Sequence, residues 1–136
     1  MNASQRRKLE ETERTLNKLL SRSQNGYPVI VEGRKDEEAL RRLKVPGKIL
    51  LLKATGSGFY DFVAGLAINR EVTILTDFDK EGIRLASKLT EELSHMKVKV
   101  DLGIWKRFKA LCRPEISTVE ELASHIEGLR VKSKGN

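Results

Sequence analysis

Thr73-Ile74-Leu75-Thr76-Asp77-Phe78-Asp79-Lys80-Glu81-Gly82 begins as an apolar run, breaks into closely spaced carboxylates and ends on a glycine. Side chains alternate along a strand, so Asp77 and Asp79 are expected on the same side of a strand's end. Like charges on one face repel unless a cation lies between them, and a hard divalent ion such as Mg²⁺ is the usual answer. Pro28-Val29-Ile30-Val31-Glu32-Gly33 repeats the pattern, with an apolar run closing on a carboxylate and a glycine. The expectation is that these two strand ends meet and form one metal-dependent phosphoryl-transfer site. An isolated Asp-x-Asp is weak support, because acids also cap helices where strands give way to them. The second acid-terminated apolar run is what strengthens the case.

Outward from this stretch, strands and helices alternate. Val29 to Val31 is β-branched without alternation, as in a parallel strand covered on both faces. Asp36 is the expected N-cap of a helix with Ala39, Leu40 and Leu43 inward, and Pro46-Gly47 closes that unit. Ile49 to Leu52 is a second strand, Thr55-Gly56-Ser57-Gly58 a flexible loop, and Phe59 to Ile68 a helix. Glu71 to Thr76 is the third strand. Glu81 to about His95 is a helix with Gly82, Ala86, Leu89, Leu93 and Met96 as its inner stripe. Val98 to Leu102 alternates like a half-exposed edge strand, and Trp105 to Leu111 is helical. Ser117 to Leu129 is a last helix, with Ser117 and Glu120 spaced as a capping box. The sequence thus predicts an α/β domain over residues 27–130, with a basic helix in 1–26 (about Gln5 to Ser23) and a disordered tail in 131–136. If Glu32 is to share a metal with Asp77 and Asp79, strand one must neighbour strand three. The order of a four-stranded parallel sheet is then 2-1-3-4, with helices on both faces and the switch point at the acids.

Composition narrows the partners. The 136 residues include 26 Lys and Arg against 19 Asp and Glu, a net charge of +7 that favours a polyanion, nucleic acid first and an anionic membrane second. No stretch approaches the roughly 20 apolar residues of a membrane span, and there is no signal-peptide core, so a cytoplasmic protein is expected. The single Cys112 has no internal disulfide partner and reads as a small buried hydrophobe. His95 and His125 stand alone on helices, without a second ligand beside them.

Around the acids, several residues have two readings. Glu81 is either a metal contact or a favourable charge at a helix start. Gly33 and Gly82 follow the acids where a phosphate or metal must approach backbone. Arg34 and Lys35 either hold a substrate phosphate or only solubilise the surface. Between residues 97 and 113, Lys106, Arg107 and Lys109 are expected to contact nucleic acid. Trp105 and Phe108, interleaved with them, either stack on unpaired bases or face the core.

Val29-Ile30-Val31-Glu32-Gly33 together with Thr76-Asp77-Phe78-Asp79-Lys80-Glu81-Gly82 resembles the Toprim domain, across roughly Pro28 to Ile126. Type IA and type II topoisomerases, bacterial-type primases, OLD-family nucleases and small ribosomal-RNA-maturing nucleases share that domain. Glu32-Gly33-Arg34-Lys35-Asp36-Glu37-Glu38-Ala39-Leu40 is similar to the maturase branch and to small stand-alone Toprim proteins. The resemblance implies a Rossmann-like fold, Glu32 as general acid or base and Asp77 and Asp79 as the Mg²⁺ pair (Mn²⁺ as substitute). It implies for Glu81 an acid present in only some branches. The chain has no DNA gate, tyrosine-bearing topoisomerase domain or primase zinc domain. The expected activity is therefore a Mg²⁺-dependent nuclease on RNA or single-stranded DNA. The alternative is a non-catalytic RNA- or ribosome-associated module with a metal-binding acidic site. An aspartyl-phosphate phosphatase would also place Asp-x-Asp after a strand, but it leaves Glu32 unexplained and finds only Asp101 as a later acid in a strand.

Overall fold

Short runs of β-branched and aliphatic residues pair into one parallel sheet. A computed structural model of the chain describes residues 1–53 and 58–135. It contains β1 (Val29–Val31), β2 (Ile49–Leu51), β3 (Glu71–Ile74) and β4 (Lys99–Asp101), in the order β2-β1-β3-β4. Val29 lies opposite both Ile49 and Thr73, and Val72 opposite Val100, all in parallel register. The predicted α/β class and 2-1-3-4 order are the observed ones. With crossovers of the usual right hand, this strand order puts α2 (Arg34–Arg42) on one face and α3 (Phe59–Gly65) with α4 (Lys80–His95) on the other, and α3 packs on α4. α1 (Ala3–Gln24), α5 (Gly103–Cys112) and α6 (Leu122–Lys134) join the α2 layer: α1 packs on α5 and α6, and α2 on α6.

The core follows from the periodicities. β1 is wholly buried between the helical layers, and α4 turns Gly82, Leu85, Ala86, Leu89 and Leu93 inward. Leu16 and Leu19 bring α1 into the same core, each such side chain contributing about 1.5–3 kcal/mol by burial. Thr12 and Thr15 are buried on that face too, their hydroxyls donating to the carbonyls of Lys8 and Glu11 at 2.7 and 2.8 Å. Among the described residues, no helix is long and apolar enough to cross a membrane.

Element ends differ from the sequence reading where capping decides them. α1 starts at Ala3 because Asn2 and Gln5 cap each other's backbone N–H groups. Asp36 is not the N-cap of α2. Gly33 holds that position, and Asp36, three residues on, reaches back to accept the Gly33 N–H at 3.0 Å. β3 stops at Ile74: Leu75 still donates to Ile30, but the Phe78 N–H has turned to the Ser117 carbonyl. The capping box near the C-terminus belongs to Thr118 and Glu121, not Ser117 and Glu120, and closes a 3₁₀ turn, Val119–Glu121. α6 then runs through Lys134 in place of the disordered tail, held to α1 by a bidentate Arg130–Glu13 pair at 2.7 and 2.8 Å. Thr55, Gly56 and Ser57, expected in a loop, lie outside the described residues, as does Asn136.

Candidate functional site at the strand ends

Backbone pairing continues past the regular strands and sets the site. Leu52 donates to Val31, Lys53 to Glu32 and Leu75 to Ile30, at 2.8–2.9 Å. Glu32, directly after β1, therefore has Lys53 beside it on the β2 side and the chain leading to Asp77 on the β3 side. The residue is 5% exposed, a costly position for a charge without partners. Oε2 accepts the Asp77 N–H at 2.9 Å, and Oε1 pairs with Lys53 Nζ at 3.0 Å. The hydrogen bond to Glu32 raises the Lys53 ammonium above its ordinary pKa.

Asp77 is half-buried, and its Oδ1 accepts the Val119 N–H at 2.8 Å. Burial pushes its carboxyl up to about 7; the Val119 hydrogen bond opposes this, and the charges of Asp36, Glu32 and Asp79 add to it. Burial also raises Asp36, with the charges of Glu32 and Glu120 adding to it against the Gly33 hydrogen bond. Glu32, Asp36 and Asp79 thus act on Asp77 at one end of the sheet, Glu120 acts on Asp36, and Lys53 pairs with Glu32.

Comparison with known sequences places the chain. It is 35% identical over 129 residues to a UPF0292 protein of Methanosarcina acetivorans, covering 94% of this chain and 88% of that one. A UPF0292 protein of Thermococcus kodakarensis is 42% identical over 94 residues, 69% of each chain. The chain belongs to the UPF0292 family. A solved structure of a protein from Aquifex aeolicus matches it with a TM-score of 0.67 at 25% identity, over 80% of this chain and 95% of that one. No family model matches the sequence.

The other residues singled out in this UPF0292 sequence fall into distinct places. Asp79 caps α4, its Oδ1 accepting the Gly82 N–H at 2.8 Å. Glu81 does not turn to the acids; Arg84 holds its carboxylate at 2.7 and 3.0 Å and keeps it below the usual range. Gly82 is required by the protein itself, because a Cβ there would lie 1.9 Å from the Asp77 carbonyl oxygen. That corrects the reading of Gly82 as a space for phosphate. At Gly33 a Cβ would meet nothing within 4 Å, so open space does face the site's backbone there. Arg34 and Lys35 are exposed on the first turn of α2, and Lys35 borders an open 690 Å³ groove between α2 and α6.

Trp105 is not a stacking platform. It is 7% exposed and its indole N–H donates to the Thr76 carbonyl at 2.9 Å, tying α5 to the end of β3. Phe108 is fully buried beside it, so the core reading holds for both rings. Lys106 and Lys109 line a shallow 400 Å³ depression with Arg113, whereas Arg107 is ion-paired to Glu11. Cys112 is buried and its thiol is pushed up to about 12, so it is not a nucleophile.

Carboxylate oxygens are the donor chemistry a hard divalent cation takes, whereas the Asp77 carboxyl is raised chiefly by burial, with the neighbouring carboxylates adding to it. No three His, Cys, Asp or Glu side chains among the described residues are gathered for metal ligation. One oxygen each of Asp77 and Asp79 is committed to a backbone N–H, and Lys53 occupies Oε1 of Glu32. The set fits such a cation in chemistry: Asp77 and Asp79 each keep one oxygen outside these bonds, while Glu32, held by the Asp77 N–H and by Lys53, would have to exchange Lys53 for the cation to become a donor. Lys53 and Val119 escaped the sequence reading. Lys53 was within reach of it, since it closes the Ile49–Leu52 run as Glu32 closes Val29–Val31; the Val119 amide carries no such signal.

Proposed function

We propose that this chain is a Mg²⁺-dependent nuclease of the Toprim type, acting on RNA or single-stranded DNA. The observation that carries the reading is the hydrogen bond between Glu32 and Asp77, 45 residues apart, where two parallel strands end side by side. Ligand sites of open α/β sheets lie at such a switch point. Bound there, Mg²⁺ (or Mn²⁺ in its place) supplies charge neutralisation at the scissile phosphate. Glu32, Asp77 and Asp79 would hold it, with Glu81 left to Arg84. Asp77, lifted to about 7 by burial in the metal-free protein, would give up its proton on taking the cation, and Glu32 is the general acid or base that the Toprim resemblance implies. Arg34 and Lys35, exposed on the first turn of α2 two and three residues after Glu32, would orient a substrate phosphate. Lys53 balances Glu32, and would be released toward a substrate phosphate if a bound cation took its place.

The ion pair between Lys53 and Glu32 also favours a second reading, a non-catalytic RNA-binding module in which lysine closes the acidic site. Cleavage of labelled RNA and single-stranded DNA with Mg²⁺ or Mn²⁺, run beside calorimetric Mg²⁺ titration, separates the two. The nuclease reading expects cleavage by wild type, loss with Glu32→Gln or Asp77→Asn, and tighter Mg²⁺ binding by Lys53→Met. Nucleic-acid binding without cleavage by wild type, on every substrate and with either metal, favours the module.

A further inference from the structure

Phe59 and Tyr60 open α3, which packs on α4. Phe59 is half-buried against the core, whereas Tyr60 is 64% exposed. Their rings meet edge to face, centroids 5.3 Å apart at 86°. Lys88 of α4 lays its ammonium over both, 4.3 Å from the Phe59 centroid and 5.2 Å from that of Tyr60. Such a contact steadies exposed rings that otherwise sample several rotamers. Lys80, Arg84 and Lys88 follow one another at four-residue spacing, a single cationic row about 12 Å long on α4. The row starts next to Asp79. Glu81, paired to Arg84 within it, lies in electrostatic reach of both Lys53 and Lys88, so the aromatic pair and the acidic centre border the same surface.

We infer that Phe59, Tyr60 and Lys88 form a platform on which an unpaired base of the bound nucleic acid stacks, with its backbone running along the Lys80–Lys88 row to the acidic centre. This rests on the reading of that centre as one acting on nucleic acid, and narrows the substrate to single-stranded segments. A base inside a duplex has both faces covered by its neighbours, so only an unpaired one offers a face to Tyr60. An exposed aromatic held under a lysine suits a ligand with a flat apolar ring and an adjacent phosphate. Asp61, exposed on the first turn of α3 next to Tyr60, sets a negative charge beside the pair that disfavours an extended anionic surface such as a membrane.

The test is fluorescence anisotropy in EDTA, with labelled oligo(U), oligo(dT) and a duplex of equal length. Single strands are expected to bind more tightly than duplex. Tyr60→Ala should raise the single-strand Kd roughly tenfold with little change for duplex, the loss of about one stacked base. Tyr60→Trp should restore it, and Lys88→Ala should lower the slope of log K against log salt by about 0.7. Equal affinity of wild type and Tyr60→Ala, an equal loss on duplex, or no binding by wild type overturns the platform. Metal-free binding keeps the two readings apart. Stacking without any cleavage sinks the nuclease and leaves the platform, whereas cleavage with an indifferent Tyr60→Ala does the reverse.

Discussion

Burial and the charges of Asp36, Glu32 and Asp79 lift the Asp77 carboxyl to about 7, against the hydrogen bond from Val119. Its ordinary value is 3.8, so the folded state binds this proton more tightly than the unfolded chain does. The resulting stability is fully present below about pH 4, falls as pH rises, and is gone above about pH 7. Asp77→Asn keeps an acceptor for Val119 and removes the charge. Thermal melts should show the variant more stable than wild type at pH 8, with the gap closing as pH falls toward 4. Saturating Mg²⁺ should narrow the gap at pH 8 by stabilising wild type alone; a gap independent of pH would show that Asp77 does not titrate in this range.

Among the elements, α4 depends most on a missing side chain. Asp79 starts the helix, the Thr76 hydroxyl donates to the Gly82 carbonyl at 2.8 Å, and the Gly82 Cα lies against the Asp77 backbone. Gly82→Ala drives a methyl group into that carbonyl, and neither backbone segment can yield without disturbing the acids. Urea unfolding should show a loss of about 1–3 kcal/mol or more. At Gly128, within α6, an added methyl group would meet nothing within 4 Å, so Gly128→Ala should stabilise by about 0.4–1 kcal/mol. Similar losses for both would mean that helix propensity, not the close approach, governs position 82.

For the molecule as a whole, α1 is part of the core. Leu19 is fully buried, and Lys8–Glu115, Glu11–Arg107 and Glu13–Arg130 pairs join α1 to the C-terminal third of the chain. Exposed pairs of this kind contribute little, so the leucines should dominate. Leu19→Ala is expected to cost about 2–5 kcal/mol in chemical denaturation, while Arg6→Ala, on the exposed face, should leave stability within about 0.5 kcal/mol. Equal effects would place the attachment in the charges.

The local pattern of Val29–Val31, Ile49–Leu51 and Glu71–Ile74 was enough to determine strands, and the helical stripes between them determined the layers. Supposing that the acids at 32, 77 and 79 share one cation made β1 and β3 neighbours, and the order 2-1-3-4 that followed is the observed one. Periodicity carries such information because it repeats within a few residues. What the tertiary structure alone decided was where single groups went: Trp105 inward to Thr76, Glu81 outward to Arg84, and the Val119 amide onto Asp77. Most of these partners lie far apart in the chain and meet only when the helices have packed on the sheet. No spacing records their encounter, because the free energy that selects it comes from burial and from satisfying each buried polar group once the core has closed.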